Sequence, residues 1–187
     1  MRKLVHVARR ARGPVPEGTY HVTHRTAGPV PMFVDDADRM EFCRRLAGTI
    51  LRFGWTCRSF CLMTTHYHLL LDVKLDLLQP GMHRLNGPYA QQFNARHGRS
   101  GHLRGDRYSA TPVETDWHML RAYRYIARNP VRAGLCERPT EWLWSSHRGA
   151  SGLDGDFAFV DHRPMRAYFG GSSEQALRLL RDFVEFS

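Results

Sequence analysis

The 187-residue sequence lacks the features that define several large classes of protein. No apolar run approaches the roughly 20 residues that a membrane-spanning helix needs. The basic segment 1–12 has neither the apolar stretch nor the small-residue cleavage site of a secretory signal. The four cysteines, Cys43, Cys57, Cys61 and Cys136, form no C-x-x-C pair, which argues against a zinc knuckle or a disulfide framework. We therefore expect a cytoplasmic protein without a membrane span.

Lysine is also scarce, because Lys3 and Lys74 are the only lysines among 27 basic residues. With 18 acidic residues the net charge is +9. Residues 151–187 hold four Arg and six acidic side chains, so subtraction leaves 23 basic and 12 acidic residues in 1–150, a net charge of +11. The planar guanidinium matches phosphate oxygens and stacks on bases, which favours a polyanionic partner. A solvated basic surface is an equally common explanation.

The remaining composition, 42% hydrophobic and 24% charged, is typical of a globular domain. The hydrophobic periodicity predicts strands at 20–25, 55–63, 66–73 and 108–113 and helices at 79–97, 114–128 and 174–186. A further helix is predicted between a cap at Asp35 or Asp36 and an end at Gly54. The order up to residue 128 is β, α, β, β, α, β, α. It predicts an α+β fold, a ferredoxin-like antiparallel sheet with helices packed on one face. We expect a basic N-terminal arm at 1–16, a main domain at 17–138 and a helical and loop extension at 139–187 packed on the core.

Two histidines open the third predicted strand. His66 and His68 are two residues apart, so their side chains point to the same face. Two adjacent imidazoles can chelate one divalent cation. Histidines on a strand are more often ordinary hydrogen-bonded residues, and the pair alone does not decide between the two interpretations.

The third predicted helix carries Tyr125 and Asn129 one turn apart, close to one face. A phenol at its polar margin could attack phosphorus, and the asparagine could add an oxygen ligand to a metal held by the histidines. An ordinary half-buried tyrosine and a helix end before Pro130 are the alternatives. Spacing does not choose between them, and other tyrosines remain possible nucleophiles: Tyr89, Tyr108 and Tyr123.

Several blocks in order resemble the tyrosine HUH transposases, and among these the REP-associated tyrosine transposases. Together they cover the chain from about residue 17 to residue 150. The blocks are Tyr20-His-Val-Thr-His-Arg25, Phe60-Cys-Leu-Met-Thr-Thr-His-Tyr-His-Leu-Leu-Leu71, residues 85–101, Tyr125-Ile-Ala-Arg-Asn-Pro-Val-Arg-Ala-Gly-Leu135 and the Trp-x-Trp-Ser-Ser element at 142–146.

This resemblance implies a bacterial nuclease and transposase domain at 17–138 that binds single-stranded DNA, in particular hairpin-forming or repeat DNA. It implies that His66 and His68 are the histidine pair, that Asn129 is the third ligand of Mg²⁺ or Mn²⁺, and that Tyr125 is the nucleophile. The tyrosine would form a 5′-phosphotyrosine link, free a 3′-hydroxyl, and later reverse the step on another strand. Relatives suggest a monomer or a homodimer.

Two departures from the family pattern keep other functions open. Thr64-Thr65 stands where Pro-Asn is usual, and Arg104-Gly-Asp-Arg107-Tyr108-Ser109 replaces a common Gln-Gly-Arg-Tyr-Lys string. The alternatives are a catalytically lapsed, sequence-specific single-stranded DNA-binding protein of the same fold and a metal-dependent RNA hydrolase. Whether the protein is a transposase or only binds DNA, we predict DNA contacts from arginines near the site and from polar residues of the second helix: Arg25, Arg104, Arg107, Arg121, Arg124, Arg128, Arg132, Asn86, Tyr89 and Gln92.

Overall fold

The computed structural model describes residues 17–26, 30–101, 103, 107–155 and 157–186. The predicted arm at 1–16 lies outside this part of the chain. The elements are β1 (Glu17–Arg25), α1 (Asp36–Phe53), β2 (Thr56–Leu62), β3 (His66–Lys74), α2 (Leu75–Arg96), β4 (Ser109–Val113), α3 (Asp116–Arg132), a 3-10 turn (Pro139–Glu141), α4 (His147–Ala150), α5 (Arg163–Ala167) and α6 (Glu174–Glu185).

The four strands form one sheet in the order β2-β3-β1-β4, and every neighbouring pair is antiparallel. This is the ferredoxin-like arrangement that the element order predicts. The fold class is therefore confirmed. The two inner strands, β1 and β3, pair along their full lengths, from Glu17 opposite Lys74 to Arg25 opposite His66.

The first face of the sheet packs against α1 and α2. The side chains of Tyr67, Leu69 and Leu71 on β3 are fully buried there, in one cluster with Phe42 and Leu46 of α1. Helix α1 begins at a capping aspartate, Asp35, and ends at Gly54, whose φ of 64° is left-handed. The structure thus uses Asp35, one of the two predicted caps, and the predicted end at Gly54.

The second face packs against α3 and α6, which differs from the prediction that the helices lie on one face. Leu70 of β3 and Ile126 of α3 are fully buried in a second cluster with Leu180 and Val184 of α6. The reason lies in the composition of β3. Its run of apolar residues supplies buried side chains to both faces, as in strands that are covered on both sides.

Helix α3 also continues past Pro130, where the sequence predicted its end. It stops two residues later in a Schellman motif: the N–H of Leu135 donates to the carbonyl oxygen of Pro130 and that of Gly134 to Val131. Gly134 has a φ of 69°, which suits glycine. As a result Asn129 stays in the helix, one full turn after Tyr125.

Part of the segment 139–187 lies along β2, the outer strand of the sheet. The N–H of Leu62 donates to the carbonyl oxygen of Trp144 at 2.8 Å, and the N–H of Ser146 donates to that of Phe60 at 3.0 Å. These bonds cover a strand edge that would otherwise be open to pairing. No helix in the described residues is long and apolar enough to cross a membrane.

Candidate active site

The candidate site lies on the second face, at the end of the sheet where β3 begins and β1 ends. His66 pairs with Arg25 of β1, and His68 pairs with Thr23. Side chains directly opposite each other in an antiparallel pair project to the same face. The two imidazoles are neighbours there, with ring centroids 5.1 Å apart. The sequence prediction of a shared face for His66 and His68 is therefore confirmed.

The turn before the histidine pair does not depend on the residues that depart from the family pattern. The N–H of Met63 donates to the carbonyl oxygen of His66. The carbonyl oxygens of Thr64 and Thr65 accept backbone N–H groups from Met32 and Thr26 respectively. Backbone bonds thus hold this hairpin turn, and His66 and His68 keep their register with threonines in place of Pro-Asn.

His68 is buried, with 5% of its surface exposed. Its Nδ1 lies 3.0 Å from Nε2 of His21, and its Nε2 is a buried atom with no hydrogen-bond partner in the described structure. Burial, followed by the neighbouring charges of His21, His66 and Arg25, lowers the pKa of His68 to about 3. The side chain of Asn129 opposes this shift but makes no well-aligned bond to Nε2. The imidazole is therefore neutral at pH 7.

His66 is half-buried, and its Nδ1 lies 3.2 Å from the hydroxyl oxygen of Thr65. Burial, and then the charge of Arg25, lowers the pKa of His66 to about 4. Both members of the pair are thus neutral at pH 7. A neutral imidazole keeps one nitrogen lone pair, which is the form that binds a metal.

Tyr125 of α3 stands over the histidine pair. Its ring lies edge-on to His68, with centroids 5.5 Å apart and planes at 89°, and 5.9 Å from His21. The guanidinium carbon of Arg132 is 5.4 Å from the centroid of the same ring. With 42% of its surface exposed, Tyr125 is open to a ligand while touching the site.

The other candidate tyrosines are placed elsewhere. Tyr89 is buried and donates its hydroxyl to the carbonyl oxygen of Met32 at 2.6 Å. Tyr123 is fully buried, with its hydroxyl 3.0 Å from Nδ1 of His147. Tyr108 packs against the first cluster, on the other side of the sheet. Among the tyrosines considered from the sequence, Tyr125 is the one whose ring contacts His68.

Asn129 is nearly buried on α3, one turn beyond Tyr125. Its amide nitrogen donates to the backbone carbonyl oxygen of Tyr125 at 2.7 Å, which fixes the orientation of the side chain. The carbonyl oxygen that it contacts belongs to Tyr125, whose ring in turn contacts His68. The structure therefore brings His66, His68, Tyr125 and Asn129 together.

These residues fit a divalent cation in their donor chemistry. The described residues contain no group of three His, Cys, Asp or Glu side chains able to hold a metal, and the amide oxygen of Asn129 stays the predicted third donor. Two neutral imidazoles supply nitrogen lone pairs, and the unpartnered Nε2 of His68 is the kind of atom that a metal would satisfy.

The arginines predicted to contact DNA fall into two groups. Arg25 and Arg132 are exposed and border the histidines and Tyr125. Arg121 is exposed on α3 one turn before Tyr125, and Arg107 is exposed just before β4. Arg104 lies outside the described residues. These exposed side chains are available to a polyanion, and the contact itself stays a prediction.

Arg124 and Arg128 are engaged within the fold instead. Arg128 donates to the carbonyl oxygens of Val184 and Glu185, at 2.8 and 2.7 Å, and so closes the end of α6. Arg124 lies over the ring of Phe183, 5.9 Å from its centroid. The structure gives both a packing role, which does not support the prediction that they contact DNA.

The polar residues predicted on α2 lie against the first face, away from the site. Asn86 is buried and accepts a hydrogen bond from Tyr67 at 2.8 Å, and Tyr89 is buried as described above. Gln92 is exposed but accepts a hydrogen bond from Arg45 of α1. Because Asn86 and Tyr89 are buried, the structure does not support DNA contacts from these two side chains. The contact predicted for Gln92, which is exposed on the other side of the sheet from Tyr125, stays a prediction.

His21 is the residue of the site that the sequence did not single out. It lies within 3.0 Å of His68 and in ring contact with Tyr125. Burial, and then the charge of His118, lowers the pKa of His21 to about 4. The available signal was the position of His21 in a strand that pairs with β3, on the same face as Thr23 and Arg25.

No family model matches the sequence, and no curated protein matches it. Solved structures match this chain in fold. The structure is similar to a REP-associated tyrosine transposase bound to a REP hairpin, with a TM-score of 0.60 and 17% identity over 83% of this chain and 98% of that one. It also matches a protein from Deinococcus radiodurans R1 that has been proposed to be a transposase, with a TM-score of 0.44 and 19% identity over 64% of this chain and 95% of that one. The first match agrees with the resemblance of the sequence blocks, and it establishes that this chain has the fold of a REP-associated tyrosine transposase.

Proposed function

We propose that this protein is a transposase of the tyrosine HUH type, which nicks single-stranded DNA and rejoins it through a covalent link to Tyr125. The observation that carries the proposal is the contact of the Tyr125 ring with His68, beside His66, on one face of the sheet. The ring contact alone could be ordinary packing, but it lies beside the buried Nε2 of His68, which has no hydrogen-bond partner in the described structure.

The proposed chemistry uses the phenol as a nucleophile. The Oη of Tyr125 attacks the phosphorus of one phosphodiester, and the new O–P bond replaces the bond from phosphorus to the 3′ oxygen. The phenol gives its proton to solvent, and the departing 3′ oxygen takes one up to become a hydroxyl. Attack by a second 3′-hydroxyl on the phosphotyrosine reverses these changes and frees Tyr125. The phosphodiester energy is conserved, so no nucleotide cofactor is required.

The metal dependence is part of the same proposal. Mg²⁺ or Mn²⁺ held by His66, His68 and Asn129 would polarise the scissile phosphate and offset its growing negative charge. The protein contributes a rigid strand that fixes the two imidazoles, neutral side chains at pH 7, and a helix that presents Tyr125. Arg25 and Arg132 add positive charge at the edge of the site, where a DNA backbone would pass.

The DNA partner is proposed from the same fold comparison. The similar transposase is bound to a REP hairpin, and the excess of arginine in residues 1–150 suits a polyanion. We propose a hairpin flanked by single-stranded DNA as the substrate.

The proposal is tested by incubating labelled single-stranded DNA from the flanks of the gene with the protein and Mn²⁺. We expect a protein–DNA adduct that survives denaturation and disappears in Tyr125→Phe. Tyr168→Phe is the matched control, because Tyr168 is 41% exposed and Tyr125 is 42% exposed. An adduct that persists in Tyr125→Phe would refute the assignment. DNA binding without an adduct at any Mn²⁺ concentration would favour the alternative of a lapsed DNA-binding protein.

A further inference from the structure

His21 contacts the proposed metal ligand His68 without being a ligand itself. We infer that His21 is a positioning residue, which accepts a hydrogen bond from Nδ1 of His68 and so leaves the Nε2 lone pair of His68 facing the site. The inference rests on the proposed function in its claim that a cation uses this lone pair. The hydrogen bond between the two histidines stands apart from that claim.

The geometry of the pair is that of a direct hydrogen bond. Nε2 of His21 and Nδ1 of His68 are 3.0 Å apart, and the two rings are tilted by 32° with centroids 5.2 Å apart. His21 pairs with Leu70 across the strands, so it is the diagonal neighbour of His68 on the same face. Residues 47 positions apart in the chain are thereby fixed relative to each other by the sheet.

Only one proton can lie between these two nitrogens. In the first arrangement His68 donates from Nδ1, and its Nε2 carries a lone pair. In the second His21 donates from Nε2, and the Nε2 of His68 must carry a hydrogen. That atom is buried and no group lies in hydrogen-bond geometry to it in the described structure, the side chain of Asn129 included, although Asn129 influences the pKa of His68. A buried orphan donor is rarer than an under-satisfied acceptor, which favours the first arrangement.

The consequence is a series of contacts that runs from β1 through His21 and His68 to the site. His21 sets the tautomer and ring orientation of His68, and His68 presents Nε2 where Tyr125 and Asn129 converge. Ligating histidines in proteins commonly make such a bond through the other ring nitrogen, which orients the ring and raises its basicity. Here the partner is a second imidazole.

The tautomer is measured directly by the ¹⁵N chemical shifts of the imidazoles in the metal-free protein. We expect His68 to be protonated on Nδ1 in the wild type. In His21→Leu this preference should be lost, whereas in His21→Gln the amide oxygen can accept the same bond and should retain it. His83→Leu is the control, because it removes an exposed imidazole from α2 on the other side of the sheet.

The second readout is the affinity of the whole protein for Mn²⁺ without DNA. We expect His21→Leu to weaken Mn²⁺ binding roughly 10–100-fold, and His21→Gln to keep it within about threefold of wild type, as for other residues that support a ligand. A matching urea-unfolding curve for the two variants would show that a folding defect does not explain the difference.

A hydrogen on Nε2 of His68 in the wild type would overturn the inference. So would a His21→Leu protein with an unchanged His68 tautomer or Mn²⁺ affinity. These outcomes are separate from the proposed function. If wild-type protein forms no adduct with DNA but His68 carries its proton on Nδ1 only while His21 or Gln is present, the nicking proposal fails and the role of His21 stands.

Discussion

The polar side chains on the two faces of strand β3 differ in whether their atoms have hydrogen-bond partners. Tyr67 and Leu69 point to the first face, where they are fully buried. The hydroxyl of Tyr67 donates to Asn86 there. His68, which lies between them in sequence, points to the second face and keeps a buried nitrogen without a partner. Adjacent residues of this strand thus pack in the core on one face and lie in the candidate site on the other.

The packing on the two faces agrees with this division. On the first face the rings of Phe33, Phe42, Tyr67 and Tyr89 form a continuous cluster with centroid distances of 4.7–5.6 Å. Such aromatic pairs add about 0.5–1.5 kcal/mol each beyond their buried area. On the second face the rings of His21, His66, His68 and Tyr125 gather at a partly exposed end of the sheet. The first cluster also holds a buried nitrogen without a partner, Nε1 of Trp55, so the grouping of the histidines with Tyr125, and not one unpaired atom, distinguishes the second face.

The largest effect is expected at the unpartnered histidine. His68→Leu fills the same position without nitrogen donors, so adduct formation should fall by more than the roughly 10–100-fold typical of a residue that only supports a ligand. The free energy of unfolding should fall by about 1–3 kcal/mol at most, because one unpaired buried nitrogen is removed but Nε2 of His21 loses its hydrogen-bond partner. Rates of adduct formation and urea unfolding measure both. Full activity in this variant would contradict the division between the faces.

Leu69, the next residue of β3, should affect stability and not activity, the opposite of His68. Leu69→Ala opens a cavity in the first cluster and should lower the free energy of unfolding by about 2–5 kcal/mol. The rate of adduct formation per folded molecule should be unchanged. Leu51→Ala is the matched control, because Leu51 is 84% exposed on α1 and should cost less than about 0.5 kcal/mol. A selective loss of activity in Leu69→Ala would break the comparison.

Acid should destabilise the protein through the second face. The pKa of His21 and of His66 is lowered to about 4, and that of His68 and of His147 to about 3, by burial first. The unfolded chain takes up protons at the ordinary pKa of 6.5, which these folded side chains resist. These histidines should thus contribute fully to the free energy of unfolding above pH 6.5, and their contribution should fall as the pH drops from 6.5 towards 4. Urea unfolding at pH 7 and pH 5 tests this, and His68→Leu should reduce the difference.

The smallest effect is expected at single arginines. Arg132→Gln should weaken DNA binding for all sequences alike and lower the salt slope by about one. Arg128→Gln is the comparison, because this side chain holds the end of α6 and its loss should lower stability by about 1.5–3 kcal/mol. Its salt slope should match that of the wild type. Equal slopes for the wild type and Arg132→Gln would remove Arg132 from the DNA path.

Local patterns were sufficient to predict most of this architecture. The Asp35 cap and Gly54 mark both ends of α1, and the period of two places His66 and His68 on one face. The spacing of four places Tyr125 and Asn129 one turn apart on α3. Each of these inferences needs only a few neighbouring residues, whose backbone geometry the sequence largely determines.

The missed features depend on contacts between distant segments. His21 reaches His68 through the register of two strands, which no local pattern reveals. Asn86 and Tyr89 are buried because α2 packs on the first face of the sheet. Arg128 is hydrogen-bonded to Val184 because α6 lies beside α3. Polar residues at helical spacing look alike in sequence whether they meet a solvent-filled groove or a buried partner.

The most direct test of the central claim is to map the covalent link. After reaction with single-stranded DNA and Mn²⁺, trypsin should release Tyr125 on the peptide 125–128, whereas Tyr123 lies on 122–124 and Tyr108 on 108–121. We predict that mass spectrometry finds the nucleotide on peptide 125–128, attached through its 5′-phosphate. A nucleotide on peptide 108–121, or no linked peptide from a protein that binds both DNA and Mn²⁺, would contradict the account.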